Sequence, residues 1–130
     1  MGKKQRLSPL EWEIMEKIWN DQKPVSVREV LSQAYPKGEK AYTTVQTVMN
    51  NLVAKGFLQK EKIGLVNFYQ PRQKKNDLMK QETSRFVEKV FGGSFQALAN
   101  YIISSKKLSE AELTDLKKLI ERSEEGRNGE

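Results

Sequence analysis

Three helix starts built on one pattern constrain the fold of this chain more than any other feature of its sequence. Each is a Ser-x-x-Glu capping box, in which the serine side chain caps the backbone of the first turn and the glutamate side chain returns to the serine backbone. An apolar residue before each serine and another at the fourth helical position add a hydrophobic staple. The boxes are Ser8 to Glu11, Ser26 to Glu29 and Ser109 to Glu112. They predict helices over about 9–19, 27–35 and 110–123.

The period of the apolar residues predicts the remaining elements. Residues 41–54, AYTTVQTVMNNLVA, place apolar side chains at helical spacing and precede a glycine that ends the helix. Residues 57–71 read instead as two strands around a tight Gly-Leu turn. Helical spacing resumes over 76–91 and 94–104. The predicted order is therefore three helices, a β-hairpin and three further helices.

Composition excludes several classes of function. The 130 residues carry 23 Lys and Arg against 17 Asp and Glu, a net charge of +6 that favours a polyanionic partner. The absence of Cys and His excludes thiol and imidazole catalysis and most zinc sites. Paired carboxylates such as Glu11 with Glu13 have the spacing of a solvated helix face, so neither enzymatic activity nor a cofactor is predicted. No stretch approaches the roughly 20 apolar residues of a membrane span, which predicts a cytoplasmic protein without membrane insertion.

Two short helices, a third helix and a hairpin follow one another in the order of a winged helix-turn-helix domain. The third helix carries no charge, although 31% of the chain is charged. Asn and Gln pair bidentately with adenine, and a Thr methyl packs on the thymine methyl, so the polar face of this helix suits A·T-containing DNA. Lysines at the helix ends and on the hairpin lie where they could contact the phosphates of bound DNA. The predicted DNA-binding residues are Lys40, Tyr42, Thr43, Thr44, Gln46, Thr47, Asn50, Lys55, Lys60 and Lys62.

A merely solvated surface is the alternative interpretation of this face, because lysine pairs also protect hairpin edges from aggregation. The distribution of charge favours DNA. Residues 1–72 hold 12 Lys and Arg and 7 Asp and Glu, a net of +5. Residues 73–130 hold 11 and 10, a net of +1, so the basic excess lies in the half that contains the third helix and the hairpin.

The predicted fold is mainly α, with a winged-helix DNA-binding domain at 1–72 and a helical dimerisation domain at 73–130. The three later helices have full apolar stripes but few residues for a core of their own, so burial against a second copy is the simplest outcome. Packing against the winged helix of the same chain is the alternative. The predicted interface residues are Phe86, Val90, Phe91, Phe95, Leu98, Ile102, Leu113, Leu116 and Ile120.

The chain resembles the penicillinase-repressor group of bacterial transcription regulators. The likeness runs from about Leu7 to Ile120, and five segments carry it in order: LSPLEWEIMEKIW, TTVQTVMNNLVAKGFL, FYQP, VFGGSFQALANYI and LSEAEL. The resemblance implies a homodimeric winged-helix repressor on a palindromic DNA operator, with β-lactamase or resistant penicillin-binding-protein genes under its control. A related copper-responsive group carries a C-terminal cysteine motif, which this chain lacks.

The resemblance also implies how such a repressor is released. A membrane sensor-protease system inactivates members of the group by cleavage in the dimerisation domain, and the scissile bond corresponds to Asn100-Tyr101 here. Tyr101 stands where the group usually has Phe, and Asn51 where it usually has Arg. Two other functions stay open. One is a winged-helix repressor with a metal-stress or small-ligand inducer, and the other is a winged-helix module for protein–protein contact.

Overall fold

The computed structural model describes residues 6–128, of which 124–128 are described by their backbone alone. The elements are α1 (Pro9–Asn20), α2 (Val27–Ala34), α3 (Tyr42–Ala54), β1 (Leu58–Ile63), β2 (Val66–Pro71), α4 (Lys75–Phe91), α5 (Phe95–Ser104) and α6 (Glu110–Asn128). Their order confirms the predicted three helices, hairpin and three helices. The bounds agree with the predicted ones to within a residue, except that α6 extends past Ser123 to Asn128.

The predicted capping boxes are all formed. At α1 the Ser8 hydroxyl accepts from the Glu11 backbone N–H at 3.1 Å, and the Ser8 N–H donates to the Glu11 carboxylate at 2.8 Å. The same pair of bonds closes the start of α2, at 3.2 and 2.9 Å. At α6 the two bonds join Ser109 and Glu112, at 3.1 and 3.0 Å. Each box satisfies N–H groups that the first helical turn would otherwise leave unpaired.

Chain contacts divide the molecule into one unit that ends at Lys80 and another that begins at Gln81. The first unit holds the hydrophobic core, which α1, α2, α3 and the hairpin share. Its fully buried side chains are Ile14, Met15, Ile18, Val25, Val30, Val45, Met49, Leu52, Leu58 and Tyr69. Leu78 belongs to the same core, so the first part of α4 packs with this unit. The boundary predicted at 72/73 stays a prediction.

The hairpin is a two-stranded antiparallel sheet in which Lys60 lies opposite Tyr69 and Ile63 opposite Val66. Gly64 begins its two-residue turn with φ +66°, a left-handed value that glycine adopts without a steric penalty. Tyr69 also exchanges two backbone hydrogen bonds with Val25, at 2.7 and 2.9 Å. This bridge ties the hairpin to the segment that leads into α2, so the hairpin is attached to the helices as a wing.

The second unit has little interior of its own. Among its residues with described side chains, 81–123, Val87 alone is buried. Large apolar side chains are exposed on all three of its helical segments. They are Phe86, Val90, Phe95, Tyr101, Ile102, Ile103, Leu119 and Ile120. Within the described residues, no helix combines the length and the apolar character that crossing a membrane requires.

Candidate nucleic-acid interface

The uncharged helix α3 is buried on one side and open on the other. Val45, Met49 and Leu52 are fully buried in the core of the first unit. On the opposite side Thr43 and Thr47 are exposed and Gln46 is half-buried. Tyr42 and Thr44 are exposed at the start of the same helix. This side of α3 is therefore a surface of hydroxyl and amide groups, and its role in binding DNA stays a prediction.

A groove of about 400 Å³ lies between the start of α2, helix α3 and the wing. Its lining residues are Ser26, Val27, Arg28, Tyr42, Gln46, Leu65, Val66, Asn67 and Tyr69. The Arg28 guanidinium stands over the Tyr42 ring, 4.9 Å from its centroid, which is within the range of a cation–π contact. Sequence reasoning missed Arg28, because its partner lies on another helix and no local pattern joins the two.

The predicted base-reading residue Asn50 is half-buried between α3 and the wing. Its Oδ1 accepts a hydrogen bond from the Tyr69 hydroxyl at 2.9 Å and another from the Lys60 ammonium at 3.2 Å. Burial, with a smaller contribution from Tyr42, raises the pKa of Tyr69, so this hydroxyl keeps its proton at neutral pH. Tyr69 is not among the predicted site residues, although it lies within the FYQP segment.

The four predicted phosphate-binding lysines differ in their surroundings. Lys60 and Lys62 are exposed on β1, and Lys40 is half-buried just before α3. Lys55 instead reaches the start of α1, where its ammonium donates to the Glu11 carboxylate at 2.8 Å and to the Arg6 carbonyl at 3.1 Å. That Lys55 contacts phosphate stays a prediction. In this structure its ammonium links the C-terminus of α3 to the N-terminus of α1.

The expectation that Glu11 faces solvent is wrong. Only 5% of the residue is exposed, because its side chain lies between the N-terminus of α1 and the C-terminus of α3. Burial favours the neutral acid, but hydrogen bonds from Lys55 and from Ser8 outweigh it and hold the pKa of Glu11 below its ordinary value. The Glu11 side chain is thus a buried, charged carboxylate that accepts hydrogen bonds from the Ser8 backbone N–H and from the Lys55 ammonium.

Replacing Glu11 with Gln is expected to lower the free energy of unfolding by roughly 1–3 kcal/mol at neutral pH. Glutamine retains the capping box but removes the charge that pairs with Lys55. Because the pKa of Glu11 is depressed in the folded state, the pair stabilises above the unfolded value of about 4.3 and is lost as the pH falls through the folded value. The difference between wild type and Glu11→Gln should therefore shrink in acid.

Urea unfolding of both proteins, at neutral pH and at about pH 3, measures this difference. Glu112→Gln is the matched control, since Glu112 closes an identical capping box in an exposed position. It is expected to change the free energy of unfolding little. If Glu11→Gln lowered the free energy of unfolding by the same amount at both pH values, the stabilising role of the charged Glu11–Lys55 pair would be contradicted.

The predicted cleavage and interface residues lie in the second unit. Asn100 and Tyr101 are exposed in the middle of α5, and the Tyr101 ring centroid is 6.1 Å from that of Phe91. Among the predicted interface residues, five are exposed and four are half-buried. The exposed ones are Phe86, Val90, Phe95, Ile102 and Ile120; the half-buried ones are Phe91, Leu98, Leu113 and Leu116. In the described part of the chain, no three acidic residues cluster closely enough to hold a metal ion.

Comparison with known proteins identifies relatives along nearly the whole chain. The methicillin resistance regulatory protein MecI of Staphylococcus aureus strain N315 is 24% identical over 119 residues, which cover 92% of this chain and 96% of that protein. The penicillinase repressor of Bacillus licheniformis is 25% identical over 121 residues, covering 93% and 94%. The solution structure of the DNA-binding domain of the repressor BlaI matches with a TM-score of 0.51 and 30% identity. That match covers 59% of this chain and 93% of that one.

The structural match confirms the winged-helix fold of the N-terminal unit. The sequence matches extend past that unit and through the later helices. The family model described as penicillinase repressor matches residues 7–122, from the residue before the α1 cap into α6. The chain therefore belongs to the penicillinase repressor family.

Proposed function

We propose that this protein is a transcriptional repressor that binds a palindromic DNA operator as a homodimer, with α3 as its recognition helix. The observation that carries the proposal is the exposed, uncharged face of α3 beside a wing that bears Lys60 and Lys62. Relatives named as repressors and as a resistance regulatory protein, along nearly the same length of chain, support it. A solved relative described as a DNA-binding domain supports the assignment of the first unit.

The chemistry of the face fits the major groove. Gln46 offers an amide that can donate and accept on one adenine edge, and the methyls of Thr43 and Thr47 can pack on thymine methyls. Lys60 and Lys62 supply positive charge on the adjoining wing. Their ammonium groups can bind phosphates there and fix the register of the protein on the duplex. Positioning and specifying groups thus occupy separate surfaces of one domain.

The homodimer is proposed from the second unit. Phe86, Val90 and Phe95 are each about half exposed, at 48, 54 and 54%, as are Ile103 and Ile120. Large apolar side chains exposed in this number on consecutive helices are typical of a surface that a partner covers. A second copy would cover it with a surface of the same composition, as a two-fold interface requires.

Control of β-lactam resistance genes and release by proteolysis are the finer parts of the proposal. The names of the relatives, penicillinase repressor and methicillin resistance regulatory protein, support the first part. For the second part we propose that a membrane sensor-protease system leads to cleavage between Asn100 and Tyr101. Both residues are exposed, so a protease can reach the segment once the helix opens locally.

Selection of duplexes from a random pool, followed by gel shifts on the DNA upstream of the chain's own gene, tests the function. We expect enrichment of an inverted repeat and a shift by a protein dimer. Sedimentation of the intact protein at micromolar concentration tests the dimer separately. Enrichment of no sequence would contradict the repressor assignment and favour the protein-contact alternative.

Replacing both Lys60 and Lys62 with Ala is expected to weaken binding to every duplex alike. Each lysine that neutralises a phosphate releases counterions, so the slope of log K against log salt should flatten by roughly one to two units. Fluorescence anisotropy at several salt concentrations measures that slope. Replacing Lys117 and Lys118, which removes equal charge from the second unit, is expected to leave the slope unchanged. An unaltered slope in the wing variant would remove these lysines from the interface.

A further inference from the structure

Asn50 joins two structural elements through a single oxygen atom. Its Oδ1, on α3, accepts from Tyr69 Oη at 2.9 Å on β2 and from Lys60 Nζ at 3.2 Å on β1. An ammonium only donates, so the atom that faces Lys60 must be the amide oxygen. The orientation of the Asn50 amide is thereby determined by its chemistry.

The two donors are neighbours on the wing. Lys60 and Tyr69 lie directly opposite each other in the hairpin, so their side chains share one face of the sheet. Tyr69 is 1% exposed, and its backbone is bonded in both directions to Val25. Because burial keeps the Tyr69 hydroxyl protonated, it remains a donor toward Asn50. The position of the donor that Tyr69 offers to Asn50 is therefore set by burial and by two backbone hydrogen bonds.

This arrangement conflicts with base readout by Asn50. Bidentate recognition of adenine requires the asparagine oxygen to accept from N6 while the nitrogen donates to N7. A carbonyl oxygen has two lone pairs, and both face donors of the protein here. Asn50 could reach adenine in that mode only by giving up at least one contact to the wing.

We propose that Asn50 is a positioning residue that fixes the wing against the recognition helix, and that adenine readout on α3 falls to Gln46. The proposal rests on the proposed function for its effect on DNA binding. The angle of the wing decides whether its lysines reach phosphates while α3 lies in the major groove. Lys60 can serve both purposes, because an ammonium has three N–H donors and only one points at Asn50.

The chain offers a matched control for removal of the Tyr69 hydroxyl. Tyr35 is also buried, at 6% exposed, and its hydroxyl donates to the Glu13 carboxylate at 2.8 Å. Neither Tyr35 nor Glu13 lines the groove beside α3. Tyr35→Phe and Tyr69→Phe thus each delete one buried hydroxyl. Thermal unfolding of both variants separates an effect on the stability of the domain from an effect on the position of the wing.

Binding is measured against a duplex that the wild-type chain selects from a random pool, and against every single-base change in it. We expect Tyr69→Phe to weaken binding several-fold and Asn50→Ala to weaken it roughly tenfold, with unchanged base preference at each position. The double variant should bind no more weakly than Asn50→Ala, because both act through one contact. Gln46→Ala should lose preference at one base pair, and Tyr35→Phe should bind as the wild type does. Wild-type affinity in Tyr69→Phe, or lost preference at one base pair in Asn50→Ala, would overturn the proposal.

A second arm needs no DNA. Residual dipolar couplings of backbone amides report whether the outer part of the wing, residues 60–67, and helix α3 keep one orientation. The wild type and Tyr35→Phe should fit a single alignment for both segments, whereas wing couplings should deviate in Asn50→Ala and Tyr69→Phe. Wild-type couplings in both of these variants would also overturn the proposal. Should the wild-type chain select no duplex, the proposed function fails while this arm still decides the role of Asn50.

Discussion

A chain that ends after Lys80 is expected to fold as a monomer and to bind a palindromic operator roughly a hundredfold to ten-thousandfold more weakly than the intact protein. The winged helix has its own core, so folding does not require the later helices. In the proposed dimer, one bound half-site holds the partner domain at high effective concentration over the other. Truncation removes that linkage without touching α3 or the wing.

The choice of Lys80 as the end of this chain follows from contacts after the hairpin. Leu78 is 3% exposed within the core, and the Lys75 ammonium pairs with Glu16 at 2.9 Å. The Trp19 indole N–H also donates to the Gln73 carbonyl at 3.0 Å. A chain cut after Arg72 would lose all three contacts, and burial of Leu78 alone is worth about 2–5 kcal/mol.

Gel shifts on a full palindrome and on a single half-site measure the effect. The truncated and intact chains should bind the half-site alike, which makes the half-site the internal control. Equal binding of both chains to the full palindrome would contradict the dimer, as would an intact protein that sediments as a monomer at micromolar concentration.

Cleavage between Asn100 and Tyr101 is expected to reduce operator affinity by a similarly large factor. The bond lies within α5, between the apolar residues Phe95 and Leu98 on one side and Ile102 on the other. A break there separates the two parts of one apolar stripe and detaches α6 with the second part. Burial of apolar surface stabilises the proposed dimer by about 25 cal/mol per Å², and this stabilisation is lost when the two parts of the stripe separate. The dimer should therefore dissociate, while the DNA-reading face stays intact.

Growing cells exposed to a β-lactam provide the test, with the size of the protein followed by blot. Asn100→Ala should block cleavage and induction, and alanine is well tolerated in an exposed helix. Gln96→Ala, a comparable exposed change in the same helix, should leave both intact. Induction with the protein still full length would show that the trigger is not this cleavage.

Local patterns in the sequence predicted most of the fold. A capping box places its partners three residues apart, so each of the boxes could be identified before any tertiary contact was known. The hairpin was predictable from its short Gly-Leu turn, and α3 from the spacing of Val45, Met49 and Leu52. In each case the physical cause acts within a few residues of chain.

The parts of the site that escaped prediction depend on residues distant in sequence. Lys55 and Glu11 are 44 positions apart, and nothing near either one signals the pair. Asn50 was assigned to DNA by its type and its face, whereas its contacts to Lys60 and Tyr69 depend on how the wing folds back against α3. Polar residues beside a binding surface can serve the ligand, the fold or both, and helical periodicity does not separate these roles.

The separation of the uncharged face of α3 from the lysines of the wing has an evolutionary consequence for the proposed repressor. If these residues read bases as proposed, replacing Thr43, Gln46 or Thr47 with another uncharged residue is expected to alter which site is preferred and leaves the charge of the protein unchanged. Its affinity for bulk chromosomal DNA, which is set by phosphate contacts, therefore stays nearly constant. Duplicated copies of such a gene can diverge to new operators through a few codons of α3, without a change in how much of each protein is held on the genome.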